Sequence, residues 1–576
     1  MTMVNQEIAD TFEELADYLE IKGENPFKIR AYRNAARIIA DHPVEMSREV
    51  ANKRDLMEID GIGKEIAAKI AVMLVTGSLP ALETVKKEFP PSLPLLLKLP
   101  GLGPKRLKVL LDKLKIASME ELVAAAKNGQ IRELPGFGPK LEASLLEAAT
   151  KKLDTTVRHL RARAMNTVDE ISAHIRKVGG VHSLEVAGSY RRGKETVGDL
   201  DFLVVAAEPD RVMKAFVSLP GTERVLAEGE TRGSILLKNG IQADLRMVEK
   251  ESFGSALHYF TGSKSHNIAT RRKAQQAGLK QNEYGIFRGE GRIAGQTEEE
   301  VFSALGLPWI PPEIREDSGE LEAAEKNNIP DLINNTDLIG DLHNHSTWSD
   351  GSESVEQMAR HAASLGWEYI AITDHSKRLT VANGLNEERL RRQIEEIDRL
   401  NAEGALGIRI LKGSEVDILE DGKLDLPDDI LKLLDIVVIS VHHKFNLDRE
   451  KQTARVLRAL DHPFISLLAH PTGRLLLQRD PYEIDMDRVL EHIRQRGCFV
   501  ELNAHPLRLD INEHHCRKAR ELGIPVAISN DAHSIPDFHN HQHGVMQARR
   551  GWLEKAHVLN TLPLPELLKK LQSTFR

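Results

Sequence analysis

Over residues 337–576, short apolar runs alternate with helical stretches, and nearly every run ends on a histidine or an acid. The runs are YIAIT, IRILKGSEV, IVVISVH, FISLLAH, CFVELNA and PVAISND. Apolar runs of this length separated by amphipathic stretches predict βα units and a parallel sheet or barrel. In such barrels the functional groups collect at the C-terminal ends of the strands. The polar residues stand there: His375 in ITDHS, Glu415 in KGSEVDI, His442 in ISVHH, His470 in LLAHP, and Asp531 with His533 in SNDAHS. Ahead of them, Asp-Leu-His343-Asn-His345 places two imidazoles at i and i+2 on one side of a strand end, with Asp350 shortly after. Neutral imidazoles mixed with carboxylates suit Mn²⁺, Zn²⁺ or Fe²⁺. So many ligands exceed one ion's needs and imply two or three. His443 competes with its neighbour, but spacing from the strand favours His442. By contrast, His361, His462, His492 and His557 read as ordinary core or surface residues, and the HNHQH run at 539–543 as an exposed loop, with contact to substrate as the alternative.

Residues 1–310 have a different character. Lys and Arg exceed Asp and Glu by 3 there, whereas the rest of the chain carries an excess of 11 acids, together giving the net charge of −8. Seventeen of the 23 histidines lie beyond position 340. Two halves with different chemistry follow, and bound cations would offset part of the acidic half's charge. The acidic N-terminus has no apolar signal core, and no long apolar run occurs, which argues against a membrane or secreted protein. Cys498 and Cys516 are the only cysteines. That excludes a disulfide framework and fits a reducing cytoplasm.

Within the first half a unit repeats: LMEIDGIGK (56–64), LLKLPGLGPK (96–105) and LPGFGPK (134–140), each followed by a helical stretch. The glycines of the pairs Gly61/Gly63, Gly101/Gly103 and Gly136/Gly138 can take positive φ and let the backbone approach a ligand closely. The following helix start offers N–H groups to a phosphate, and Lys64, Lys105, Arg106 and Lys140 add charge. A turn of this kind can also serve packing alone; three copies favour a nucleic-acid backbone bound without base readout.

Downstream, Gly188-Ser189-Tyr190-Arg191-Arg192-Gly193 leads into Gly-Asp199-Leu-Asp201-Phe. Asp199 and Asp201 share a strand face. With Asp244 in QADLR they form a triad able to hold two Mg²⁺ or Mn²⁺ ions around a transferring phosphate. Gly188 and Ser189 offer close backbone approach and a hydroxyl, and Arg192 a cation for a triphosphate.

These motifs resemble family X DNA polymerases related to DNA polymerase beta, across most of residues 1–310. The resemblance rests on GSYRRG, VGDLDFLV, ADLR and YFTGS at 259–263. It implies that Asp199, Asp201 and Asp244 are the metal-binding catalytic acids and that Ser189 and Arg192 contact the triphosphate. Tyr259, Phe260 and Gly262 would line the sugar pocket, Asn267 would lie near the incoming base, and Arg271 on the template side. The glycine turns resemble helix-hairpin-helix motifs. GIGKEIAAKI resembles the family's lyase helix and places Lys69 at the Schiff-base position; an exposed or phosphate-contacting lysine is the alternative.

The second half resembles the PHP (polymerase and histidinol phosphatase) family, with its distorted (β/α)7 barrel and trinuclear metal site. All nine positions of that pattern are filled, by His343, His345, Asp350, His375, Glu415, His442, His470, Asp531 and His533.

The expected architecture is a helical helix-hairpin-helix region, an α/β nucleotidyltransferase palm and thumb, and a PHP barrel. The expected boundaries are 1–85 (lyase-like helical domain), 86–153 (fingers-like), 154–250 (palm), 251–315 (nucleotide selection), 316–336 (linker, within a polar stretch from 311) and 337–576 (barrel). The expected function is short-gap filling in repair by a bacterial, cytoplasmic monomer. It would use gapped or nicked DNA and dNTPs, with Mn²⁺-dependent 3′–5′ exonuclease, abasic-site incision and 3′-end-processing activities from the barrel. A small-molecule phosphatase and a non-catalytic DNA-end scaffold are the rival readings.

Overall fold

The computed structural model describes residues 5–576, apart from 41, 43–45, 52, 53, 60, 77, 87, 91, 92, 98, 100 and 155–157. The chain forms two compact units, Met1–Thr156 and Val157–Arg576.

The first unit is helical. Its longer helices are Asn5–Lys22, Pro26–Ala40, Lys64–Thr76, Pro104–Leu114, Met119–Lys127 and Pro139–Asp154. Their apolar faces share one core that includes Phe12, Tyr32, Ile39, Ile70, Leu107, Leu110, Leu122 and Leu145. Local signals set the ends. Ser118 and Glu121 form a reciprocal capping box at the start of Met119–Lys127, and Pro104 opens its helix where no N–H is required.

The second unit begins with a five-stranded sheet in the order 181–186, 199–206, 242–247, 232–237, 222–228. Asp199–Ala206 runs parallel to Gln242–Met247 and antiparallel to Val181–Val186. Its alternation turns Leu200, Phe202 and Val204 into the core and leaves Asp199 and Asp201 on the opposite face. Two helices, Phe253–Thr261 and Lys264–Gln276, and a three-stranded antiparallel sheet over 280–294 follow.

The rest of the unit is a parallel barrel. Seven strands pair in sequence order: Gly340–Asp341, Tyr369–Ile372, Arg409–Asp417, Ile436–Ser440, Leu467–Leu468, Phe499–Asn503 and Val526–Ser529. First and last meet through a parallel bridge between Asn344 and Ala532, with His345 N donating to Ala532 O at 2.8 Å. The apolar runs are buried throughout, as at Tyr369–Ile372 and Ile436–Ser440, which is what a parallel sheet covered on both faces requires.

Two sequence expectations need correction. The polar stretch at 316–336 is not a solvated spacer. Glu320 is fully buried, its carboxylate 2.7 Å from His266 Nδ1, and Leu332 and Ile333 are core residues. Ile333 N donates to Leu553 O at 3.0 Å. Just before it, Arg315 is completely enclosed and paired with Glu298. A charge that finds its partner inside can be buried, and composition alone does not reveal the partner. Nor is the HNHQH run an exposed loop. His541 begins the helix His541–Arg550, and His543 is buried on it.

That helix fastens the barrel to the palm. Gln547 Nε2 donates to Glu195 Oε1 at 2.6 Å, and Arg474 also donates to the Glu195 carboxylate. Arg550 donates to Arg192 O at 2.8 Å, to Glu316 Oε1 at 3.1 Å and to Glu513 Oε1 at 2.9 Å. Gly193 fits so closely that an added Cβ would lie 2.3 Å from Met546 Sδ.

Candidate active sites

Polymerase-type centre. Strand register sets Asp201 beside Asp244 on the neighbouring strand. One oxygen from each of Asp199, Asp201 and Asp244 falls within 4.8 Å of the others. Burial, reinforced by the charges of Asp199 and Asp244, pushes the Asp201 carboxyl up to about 7. Burial and Asp244 raise Asp199 as well. Acids crowded at this cost mark a place built for a cation. Gly188 closes the site from one side: its φ is +62°, and a Cβ there would stand 2.5 Å from Asp201 Oδ2. Ser189 follows it on the short helix Gly188–Arg191.

The expected substrate-binding residues fall nearby, with partners that the sequence did not reveal. Arg192 donates to Glu316 Oε1 at 3.1 Å and to Thr261 O. Its Nη1 would lie 3.3 Å from a Cβ at Gly262. Tyr259 and Phe260 pack edge to face at 5.0 Å. Arg271 covers the Tyr259 ring and Arg246 the Phe260 ring. Asn267 Nδ2 donates to Tyr259 O at 2.7 Å.

Barrel centre. The histidines and acids converge at the strand C-termini in three overlapping groups: His345/Asp350/His375/His533, His343/His345/Glu415 and His375/Glu415/His442. Asp531 Oδ1 is 3.2 Å from His345 Nε2, and His470 Nε2 is 2.8 Å from Glu415 Oε1. His442, not His443, faces Glu415, at 3.3 Å. His443 turns to Asp417 at 3.6 Å and is 38% exposed. Both His470 (φ +26°) and Asp531 (φ +53°) have left-handed backbones, a conformation that non-glycine residues hold chiefly where a site demands it.

The donor set fits divalent ions. Both ring nitrogens of His345, Nε2 of His343, Nδ1 of His375 and of His470, and Oε2 of Glu415 are buried without a hydrogen bond. Orphaned polar atoms crowded together in a buried site cost stability unless cations take their lone pairs. Burial, with His533 and His375 beside it, depresses His345 to about 3 and keeps it neutral, as a ligand must be.

Several supporting residues escaped the sequence reading. Glu501 Oε1 is 2.7 Å from His343 Nδ1. Asp417 lies 3.4 Å from His442 Nδ1. Asn503 Nδ2 donates to Asp531 at 3.0 Å, and Arg508 Nε lies 3.5 Å from Asp531 Oδ2. An acid inside an otherwise apolar run, as in CFVELNA, was the available signal for Glu501.

Helical unit. Gly61, Gly101 and Gly136 have φ of +89°, +79° and +83°. Of each pair, the first glycine uses the positive φ open to both, and the second does not. Gly63, Gly103 and Gly138 lie outside the left-handed region, and Gly103 has an ordinary extended backbone with φ −79° and ψ 173°. The physical reason is their place in the chain. Each stands immediately before a helix, and its carbonyl already accepts the first helical hydrogen bond: Gly63 O from Ala67 N at 2.9 Å, Gly103 O from Leu107 N and Gly138 O from Glu142 N at 3.0 Å. An N-cap takes extended dihedrals that any residue can adopt, so the turn itself does not require glycine at Gly63, Gly103 or Gly138. A Cβ added at any of the three would meet no atom within 4 Å. Packing does not require glycine there either, and the space beside each helix start is open to a ligand.

Lys64, Lys105 and Lys140 are exposed in the first turns. Arg106 is engaged rather than free: it donates to Gly101 O at 2.8 Å and to Gly136 O at 3.2 Å, tying two turns together. Lys69 Nζ lies 2.5 Å from Glu65 Oε1. Glu65 also accepts from Tyr32 Oη at 2.9 Å.

Fold and centres together define a polymerase-beta-type nucleotidyltransferase joined to a PHP barrel. The sequence matches the DNA polymerase beta palm over 158–238 and the DNA polymerase beta thumb over 256–316. It matches the PHP domain over 341–505, a helix-hairpin-helix domain over 3–79 and a SAM-like helix-hairpin-helix tandem over 93–151. A Bacillus subtilis (strain 168) relative, the DNA polymerase/3′-5′ exonuclease PolX, is 40% identical over 569 residues, covering 98% of this chain and 99% of its own. The protein belongs to the PolX family. The barrel half is also similar to probable phosphatases. One from Thermoanaerobacter sp. (strain X514) is 31% identical over 39% of this chain and 91% of its own, and one from Acetivibrio thermocellus is 30% identical over 34% and 80%.

Proposed function

We propose that the protein is a DNA-directed DNA polymerase that fills short gaps and carries, in its PHP barrel, a second centre that shortens or unblocks DNA 3′ ends. The observation that supports this best is the presence of two separate constellations in one compact unit: the acid triad of Asp199, Asp201 and Asp244, and the barrel cluster of seven His and acid residues with His470 and Asp531 in contact with it. The substrates are gapped or nicked DNA and dNTPs. The protein works as a monomer in the bacterial cytoplasm, where no membrane anchor is needed. None of the described helices is long and apolar enough to cross a membrane.

At the first centre the triad would hold Mg²⁺ or Mn²⁺. Gly188 and Ser189 bring backbone and hydroxyl to the triphosphate, and Arg192 exchanges its contact with Glu316 for a phosphate oxygen. Tyr259, Phe260 and Gly262 shape the sugar pocket, while Asn267 and Arg271 flank the nascent pair. At the second centre His343, His345, Asp350, His375, Glu415, His442, His470, Asp531 and His533 would hold two or three Mn²⁺, Zn²⁺ or Fe²⁺ ions. Bound ions supply Lewis-acid stabilisation of phosphoryl charge and activate water. Around them Glu501, Asp417 and Asn503 orient the ligands. Incision at abasic sites is a further activity of the same centre. The three glycine turns hold the DNA backbone: Gly61, Gly101 and Gly136 reverse the chain, and Gly63, Gly103 and Gly138 keep the helix starts clear for phosphate.

The test uses 5′-labelled gapped DNA, with and without dNTPs, in Mg²⁺ and in Mn²⁺. Asp201→Ala abolishes extension alone, and His343→Ala abolishes shortening alone. One substitution abolishing both activities, or neither product with the wild type, sinks the reading. A second reading, a small-molecule phosphatase, draws on the likeness of the barrel half to probable phosphatases. Hydrolysis of free phosphate monoesters with no action on DNA would favour it.

A further inference from the structure

Residues Leu475–Arg479 make a tight turn beyond His470 at the barrel rim. Leu475 and Arg479 pair as a bridge; Leu475 N donates to Arg479 O at 2.8 Å, and Arg479 N donates to Leu475 O at 2.7 Å. The base of the turn is braced from two more sides. Arg479 donates twice to Gly473 O, at 3.0 and 2.7 Å, and lies over the Phe445 ring, which stacks on Tyr482. Leu476 N donates to Leu507 O at 2.6 Å.

On this rigid support Leu477 projects into solvent, 59% exposed, with φ +64°. A leucine so placed gains little from burial, and its backbone occupies a region that side chains with a Cβ disfavour. Its surroundings point to a ligand. Leu507, which receives the turn, precedes Arg508, whose guanidinium reaches the cluster acid Asp531 at 3.5 Å. Arg479 stands at the foot of the turn, close enough that burial together with the Arg508 charge lowers its pKa. An apolar tip on a turn that carries Arg479 and is hydrogen-bonded to the Leu507–Arg508 segment, which reaches the His/acid cluster, complements one kind of object: a base flanked by phosphodiesters.

We propose that Leu477 is a strand-separation wedge that packs against the 3′-terminal base and lifts it from its neighbour, while Arg479 and Arg508 hold the flanking phosphates and pass the terminal linkage to the barrel centre. The proposal rests on the nuclease reading above. It deepens that reading by naming a paired 3′ end, opened by one nucleotide, as the substrate form.

The test compares full-length wild type with Leu477→Gly, which keeps the left-handed backbone but removes the side chain, and with Leu477→Met, which keeps an apolar tip. Shortening is followed in Mn²⁺ on DNA with a paired 3′ end and on the same strand unpaired. Base opening is read from 2-aminopurine at the 3′ terminus, with a phosphorothioate at the terminal linkage to slow cleavage. Leu477→Gly shortens paired ends about tenfold more slowly, the scale of one lost base contact, leaves unpaired ends unchanged and loses the fluorescence rise on binding; Leu477→Met keeps both. Equal rates for wild type and Leu477→Gly on paired ends, or equal losses on both substrates, overturn the wedge alone. A wild type that shortens neither substrate overturns the nuclease reading, and the wedge with it.

Discussion

Glu501 Oε1 stands 2.7 Å from His343 Nδ1, on the far side of the ring from Glu415 and Asp531. Its other oxygen accepts from His470 N at 2.8 Å. This carboxylate holds the proton on Nδ1 and turns the Nε2 lone pair toward the cluster, as carboxylates behind metal-binding histidines do. Glu501→Gln should weaken divalent-ion binding by about 10–100-fold, measured by Mn²⁺ titration of the metal-stripped protein. Unchanged affinity would reduce Glu501 to a packing role.

His442 and His443 are adjacent in sequence and both approach Asp417, but of the two it is His442 that reaches Glu415. His442→Ala should lose both bound metal and 3′-end shortening, while His443→Ala keeps the metal content of the wild type. Metal analysis after gel filtration decides it, and the reverse pattern would exchange their roles.

Acid should loosen the joint between palm and barrel. Burial opposes ionisation of Glu513, but Arg550 and Lys194 outweigh it and hold its carboxyl down at about 2, against 4.5 unperturbed. The depressed folded-state value means that the stabilisation is complete above the unfolded pKa and is lost as pH falls toward the folded one. Between about pH 5 and about pH 3 the wild type should therefore lose more thermal stability than Glu513→Gln. Parallel Tm-versus-pH curves would contradict this.

Lys69 bears on the lyase expectation. Its amine lies against the Glu65 carboxylate at 2.5 Å, which holds the nitrogen that a Schiff base would need. Borohydride trapping on a 5′-deoxyribose-phosphate end should be stronger for Glu65→Gln than for wild type and absent for Lys69→Ala. Trapping that survives Lys69→Ala would exclude this lysine.

The clustering of these histidines and acids was legible because most of them sit where an apolar run stops, and a strand end is where a barrel presents a polar side chain to its mouth. The acid triad was legible for a related reason: alternation alone puts Asp199 and Asp201 on one face. What joins distant segments was not legible. Glu501 meets His343 from another strand, and Asp417 meets His442 across the sheet. Glu320, Arg315 and His543 looked solvated because their sequence neighbours are polar. They are buried because His266, Glu298 and the palm loop wait for them in three dimensions. Local composition reports a residue's chain neighbours, whereas burial depends on its spatial ones. The glycine pairs show a different limit. Sequence marks both members alike, yet Gly101 bends the chain and Gly103 caps a helix, because only the first sits at the reversal.

The contacts of Glu195 with Arg474 and Gln547, and of Arg550 with Glu316 and Glu513, have a consequence for traffic between the two centres. They make palm and barrel a fixed gauge. A primer terminus that needs correction travels between stations by releasing one and threading into the other, and the free length of its strand sets whether it arrives.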